Sequence, residues 1–146
     1  MIDPDVRQAD QADADQLRLL EADARRSLID QRGGQRWLDT HPERGDHWEA
    51  SIDGARVYVA HIGEVLVGYL VATPRGEVLR IDEVFVLADA RELGFGDAML
   101  AAAVASGRRD GFRLLEGESL PGDRDTKNLY ERAGIKARLI TVSTEL

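Results

Sequence analysis

Residues 84–109, VFVLADARELGFGDAMLAAAVASGRR, constrain this chain more than any other stretch. An apolar run, Val84-Phe85-Val86-Leu87, reads as a strand. A turn carrying Arg91 and the pair Gly94-x-Gly96 follows, and then a run of strong helix formers from Asp97 to Ala105. Strand, glycine turn and helix together make an anion cradle. The first amides of a helix lack partners within it and carry the positive end of its dipole, so they suit a phosphate. Glycine lets the backbone approach a ligand closely or take positive φ. Arg91 adds a cation able to grip two oxygens at once. A tight strand–helix connection is the plainer reading of the same residues. A dinucleotide fingerprint fits worse, because Met99 stands at its third glycine and no early βαβ repeat surrounds it.

At 146 residues the chain suits one domain, residues 1–146. Hydrophobic residues make up 43% and charged residues 32%, enough for both a core and a solvated surface. There is no cysteine, which removes disulfides, thiolate metal sites and a cysteine nucleophile. No run approaches the roughly 20 apolar residues of a membrane helix. The first four residues lack the character of a secretion signal, so a cytoplasmic location is expected. Nineteen basic against 27 acidic residues give a net charge of -8. That argues against a nucleic-acid partner, which calls for a basic stripe, and no membrane partner is expected. An acidic surface also concentrates ammonium substrates, although solubility alone accounts for it.

In chain order, residues 6–9 read as an edge strand. Leu17, Leu20, Ala24 and Leu28 recur at helical spacing, and Gly33-Gly34 closes that helix. Residues 35–53 carry little signal beyond short helices around Trp37 or Trp48. His41 and His47 are too far apart for one helical face and read as surface or substrate-rim residues, so no metal is expected. Residues 57–62 and 65–73 form a hairpin around Gly63-Glu64, and the second arm, apolar on both faces, reads as central. Residues 78–87 bring the chain to Arg91. A strand over 112–118, a helix over 127–133 capped by Asp123 or Asp125 and closed by Gly134, and a last strand over 137–144 complete the order. This pattern predicts an α/β (α+β) domain with a mixed, mostly antiparallel sheet of about six strands and helices on both faces.

Three stretches together resemble the GNAT family of acetyl-CoA-dependent N-acetyltransferases. They are residues 81–86 as its fourth strand, Arg91-x-x-Gly94-x-Gly96 as its pyrophosphate loop, and Leu129-Tyr130 with Gly134 as the signature of its last helix. The resemblance spans roughly residues 5–144 and is strongest over 57–135. It implies an acyl-CoA N-acyltransferase fold whose fourth and fifth strands part like a V around the pantetheine arm. It implies acetyl-CoA as co-substrate, bound by Val84, Phe85, Val86, Arg91, Leu93, Gly94, Phe95, Gly96, Asp97, Ala98, Asp123, Asn128 and Tyr130. It further implies acetyl transfer to the amine of a small or amino-acid-like acceptor. Tyr130 falls where the family protonates the departing thiolate. Glu83 is the candidate base, with a solvent-facing or salt-bridged carboxylate as the equal alternative, and Glu118 stands second.

The departures are specific. Ala88 stands where the family has proline, Glu92 where it often has glycine, Asp123 where it has asparagine, Thr126 where it has alanine, and Ile135 where it has phenylalanine. Glu92 and Asp97 bring negative charge to an anion site, which keeps open a non-catalytic acyl-CoA-binding or protein-interaction domain. The family commonly ends in two strands, and this chain has room for one. Residues 137–144 are therefore expected either to fill the inner position or to pair with a second copy in a homodimer.

Overall fold

The computed structural model describes residues 4–146; the reading of the amino terminus as lacking a signal falls partly outside them, on residues 1–3. Five strands form one sheet in the order β1-β2-β3-β4-β5: β1 (Asp5–Gln8), β2 (Arg56–Ile62), β3 (Val65–Arg75), β4 (Val78–Val86) and β5 (Leu114–Gly117). The first four are antiparallel neighbours, and β5 alone runs parallel to β4. Helices α1 (Ala14–Leu28), α2 (Gly34–Thr40) and α3 (Trp48–Gly54) precede β2, while α4 (Phe95–Arg109) and α5 (Arg124–Arg132) flank β5.

The sheet separates two cores. On one face, Leu17, Leu20 and Ala24 of α1 pack with Trp48, Val57, Val59, Tyr69 and Val71. On the other, Phe95, Met99, Leu100 and Ala103 of α4 pack with Leu70, Ala72, Leu79 and Ile81. Leu66 to Ala72 are all buried, as expected of a central strand covered on both sides. Each fully buried aliphatic side chain contributes about 1.5–3 kcal/mol.

The turn before α1 is closed by a capping box. The Asp10 carboxylate accepts from Ala12 N at 2.9 Å, and the Asp13 carboxylate accepts from Asp10 N at 2.9 Å.

Three sequence expectations change. First, Gly33-Gly34 does not close α1, which ends at Leu28; Gly33, at φ 83°, instead opens α2. Second, residues 137–144 form no strand, so the sheet has five strands and not about six. Their β-forming residues find no partner in their own chain: Leu139, Ile140 and Val142 are 88%, 82% and 88% exposed. Strand propensity without a neighbouring ladder does not make a strand. Third, the strand expected over 112–118 is four residues long, because it pairs only with Val78 to Ile81.

Candidate active site

The pairing of β4 with β5 stops at Ile81↔Gly117. Beyond that rung the strands part, and a groove of about 1310 Å³ opens between them. Its walls include residues 81–86 of β4, residues 90–97 around the α4 N-terminus, and Glu118, Asp123, Asn128 and Tyr130 from the β5–α5 side. Its far end is bounded by Ala24, Ser27 and Leu28 of α1, and by Trp37 of α2.

A bulge decides which way β4 points its side chains. Val71 pairs with Glu83 and Ala72 with Ile81, which leaves Asp82 as the extra residue. Leu79 and Ile81 before the bulge face the α4 core, and so do Val84 and Val86 after it. Glu83 and Phe85 consequently turn to the α1 face, where Phe85 joins the Trp48–Tyr69 cluster. In an unbroken strand Glu83 would have followed Ile81 into the α4 core.

On the α1 face the Glu83 carboxylate meets two donors. Tyr69 Oη donates to Oε1 at 2.5 Å and Arg44 Nη1 to Oε2 at 2.5 Å. Arg44 is itself seated by Glu21, a buried acid of α1 that accepts from Arg44 N (3.0 Å), Gly45 N (2.9 Å) and Trp48 Nε1 (3.1 Å). Burial disfavours the Arg44 charge, but Glu83, with Tyr69 and Glu21 adding to it, outweighs burial and the guanidinium pKa is raised. Burial, reinforced by Glu83, holds the Tyr69 phenol well above its ordinary range, so it serves as a neutral donor.

At the α4 N-terminus, Gly94 adopts φ 88° and Ala98 N makes the first helical bond, to Gly94 O at 3.0 Å. The amides of Phe95, Gly96 and Asp97 precede that bond and sit at the positive end of the helix, as an anion cradle requires. Arg91 spans the turn: its Nε donates to Val86 O at 3.0 Å and its Nη1 lies 3.4 Å from Asp125. Asp97 pairs with Arg132 at 3.0 Å, which offsets its charge beside the cradle. Glu92 takes φ 65°, a left-handed conformation that suits glycine. Leu93 is 42% exposed at the rim. Asp123 caps α5, accepting from Thr126 N at 3.1 Å and Thr126 Oγ1 at 2.5 Å.

Tyr130 is buried, with its phenol against Gly117 at the apex of the V. Burial, with the charges of Asp123 and Glu118 adding to it, raises its pKa far above the ordinary value, and Arg80 opposes them. The phenol therefore keeps its proton at neutral pH. Glu118 also lines the groove, and it is hydrogen-bonded by Arg80. Of the sequence-inferred residues, Ala98 is not among those lining the groove; the others line it, with Tyr130 on the β5–α5 side and Glu83 on β4.

Sequence reasoning missed Glu21, Arg44 and Gly117. Glu21 had a signal, since it lies one turn after Leu17 on the buried stripe of α1, where a lone charge demands a partner. Gly117 had one too, because a glycine inside a strand marks a close approach. Arg44 lies in a segment without periodicity. His41 stacks on Trp37 at 4.2 Å, and no group of three or more metal-ligating side chains occurs among the described residues. Nor is any helix among them long and apolar enough to cross a membrane.

Comparison with known proteins places this architecture. A transcriptional regulator from Bacillus halodurans superposes with a TM-score of 0.72 at 21% identity, over 99% of this chain and 100% of the other. AAC(6')-Iy in complex with a CoA–acetylneamine bisubstrate analogue gives 0.70 at 19%, over 99% and 100%. A ribosomal-protein-alanine N-acetyltransferase from Brucella melitensis gives 0.71 at 18%, again over 99% and 100%. At these identities the likeness speaks for the fold alone. A search of curated proteins finds no significant match. The sequence model of the acetyltransferase (GNAT) family matches residues 17–135, well over half of the chain. This chain therefore belongs to the GNAT family: it is an N-acetyltransferase, and acetyl-CoA is its co-substrate.

Proposed function

We propose that the acceptor is a small-molecule amine and that the groove between β4 and β5 is where it meets the thioester. The observation that carries this reading is the joint placement of Glu83, Tyr130 and the α4 N-terminus along one groove. Of the similar structures, AAC(6')-Iy carries a CoA–acetylneamine bisubstrate analogue, and the Brucella melitensis protein is a ribosomal-protein-alanine N-acetyltransferase. The groove end bounded by Ala24, Ser27, Leu28 and Trp37 offers space for a free small molecule.

The amides of Phe95, Gly96 and Asp97 hold the pyrophosphate, and Arg91 braces the loop from Val86 O to Asp125. Backbone groups of β4 beyond the bulge, from Val84 to Val86, have no β5 partner and face the pantetheine. Glu83, whose two carboxylate oxygens already accept from Arg44 and Tyr69, takes the acceptor's proton through water on a remaining lone pair. The freed nitrogen attacks the thioester carbonyl, a C–N bond forms, and the C–S bond breaks. Tyr130 gives its proton to the departing thiolate, and the second proton, lost from the nitrogen as the amide forms, returns to the Tyr130 oxygen through water. A homodimer closed by residues 137–144 completes the proposal.

The test is thiol release from acetyl-CoA over a library of amines, followed by Tyr130→Phe. Loss of roughly 10²-fold in kcat with CoA affinity intact supports the acid role, since general acid catalysis is worth about 10²–10⁴-fold. Full kcat in that variant removes it. No turnover with any amine of the library, with CoA still bound, removes the small-molecule acceptor.

A further inference from the structure

Gly117 is the last residue of β5 and pairs with Ile81 in the final rung before the sheet opens. A Cβ built on it would lie 2.3 Å from Tyr130 Oη, 2.7 Å from Cζ and 3.2 Å from Cε1. Real Cβ atoms do not approach so closely, so any side chain here must move the ring. Backbone conformation does not explain this glycine, because it is not among the residues at positive φ. Glycine within a strand costs about 0.5–1 kcal/mol relative to alanine. The visible return for that cost is the space filled by the phenol.

The ring has little room to yield. Tyr130 and Leu129 belong to the α4 core. Helix α5 is pinned at its start by the Asp123 cap, and at its end by Ile135 N bonding to Tyr130 O at 2.9 Å. A methyl on Gly117 would therefore push the hydroxyl out of the strand junction and along the groove. Asp82, the bulged residue that turns Glu83 to the opposite face, directly follows Ile81, the rung partner of Gly117. The point where the strands part is thus set by a bulge on one side and a missing side chain on the other.

We propose that Gly117 is a positioning residue: its lack of a side chain admits the Tyr130 hydroxyl to the strand junction, from which it reaches the leaving sulfur. This rests on the proton-donor reading of Tyr130. The groups facing the phenol are Asp123 at the start of α5, Glu118 after β5 and Arg80 on β4.

The experiment is Gly117→Ala, alone and combined with Tyr130→Phe. Ultraviolet titration reads the phenol without any acceptor, with Tyr130→Phe identifying its share of the three tyrosines. In Gly117→Ala the hydroxyl enters water and its titration falls toward about 10, the ordinary tyrosine value. An unmoved titration overturns the proposal. With an acceptor from the amine survey, Gly117→Ala lowers kcat about 10-fold or more and leaves the KM for acetyl-CoA unchanged, consistent with partial loss of an acid worth about 10²–10⁴-fold. It adds no further loss in the Tyr130→Phe background, and an equal loss there overturns the proposal. If the alanine variant is unstable, Tyr130→Leu restores it, because leucine lacks the atoms the methyl meets; failure to restore also counts against the phenol. Tyr130→Phe with full kcat sinks the proton-donor reading instead, while the titration still reports whether Gly117 seats the phenol.

Discussion

Arg44 and Glu83, 39 residues apart in sequence, form an ion pair of 2.5 Å beside the groove that Glu83 lines. The same Nη1 lies 3.4 Å from Glu21, and the guanidinium sits 5.1 Å from the Trp48 ring. One cation therefore serves two carboxylates whose side chains are 8% and 1% exposed. Removing one partner of a buried pair leaves uncompensated charge and costs about 3–5 kcal/mol. Arg44→Met is expected to destabilise by about that much in urea unfolding, and Arg44→Lys to recover only part of it, since an ammonium cannot reproduce the stacked fork. A loss below about 1 kcal/mol, the surface-pair range, would mean that Glu21 and Glu83 are satisfied without it.

A second ion pair gives stability a pH dependence. Arg7 on β1 donates to both oxygens of Asp13, at 2.7 and 2.8 Å, and so ties the first strand to the turn before α1. The hydrogen bonds from Arg7 hold the Asp13 carboxyl below its ordinary pKa against the opposing effect of burial. A depressed folded-state pKa stabilises above the unfolded value, about 3.9, and that stability is lost as pH falls through the folded value. Because Arg7 is 41% exposed, the pair is worth about 1 kcal/mol. Asp13→Asn is expected to lower the unfolding midpoint at pH 7, with the difference from the native protein shrinking to nothing in strong acid. A difference that persists there would place the effect in the neutral cap alone.

Much of this was legible in the sequence because period and turn chemistry are local. The continuous apolar run in β3, the glycine turn before α4 and an aspartate cap on α5, left open between Asp123 and Asp125, were all readable from neighbouring residues. The Glu21–Arg44–Glu83 triad was not, because it joins α1, a loop without periodicity and β4 through charge alone. The bulge at Asp82 is equally silent, since it shows only when β4 is laid against β3. Residues 137–144 illustrate the reverse case: good strand residues that found no ladder.

That segment supports a prediction about assembly. Strand β5 pairs only with β4, and Leu114 on it is 41% exposed. Open strand edges and exposed apolar residues are usually covered. In the proposed homodimer, residues 137–144 of a second copy are expected to add a strand whose Leu139, Ile140 and Val142 cover both. Multi-angle light scattering is expected to report a dimer, and truncation after Lys136 a monomer. A monomeric full chain would remove the idea.

The last prediction concerns the cradle's odd residue. Glu92 holds φ 65° without being glycine, which costs an L-residue about 1–2 kcal/mol. It is exposed and lines the groove just before the α4 N-terminus, where a pyrophosphate is proposed to sit. Two effects can be separated with two variants. Glu92→Ala removes the charge and keeps the strain. Glu92→Gly removes both, although glycine's freedom in the unfolded chain returns about 0.5–1 kcal/mol of the gain. Both are expected to bind CoA a few-fold more tightly in low salt, since one charge at about 8 Å in water is worth about 0.5 kcal/mol. That gain should fade at high ionic strength, where the Debye length drops to about 3 Å. Only the glycine variant should also gain stability, by up to about 1 kcal/mol over alanine in thermal unfolding. Equal stability of the two would show that the turn relaxes around an alanine. Equal CoA affinity in all three proteins, measured by calorimetry, would show that the Glu92 carboxylate stands clear of the phosphates.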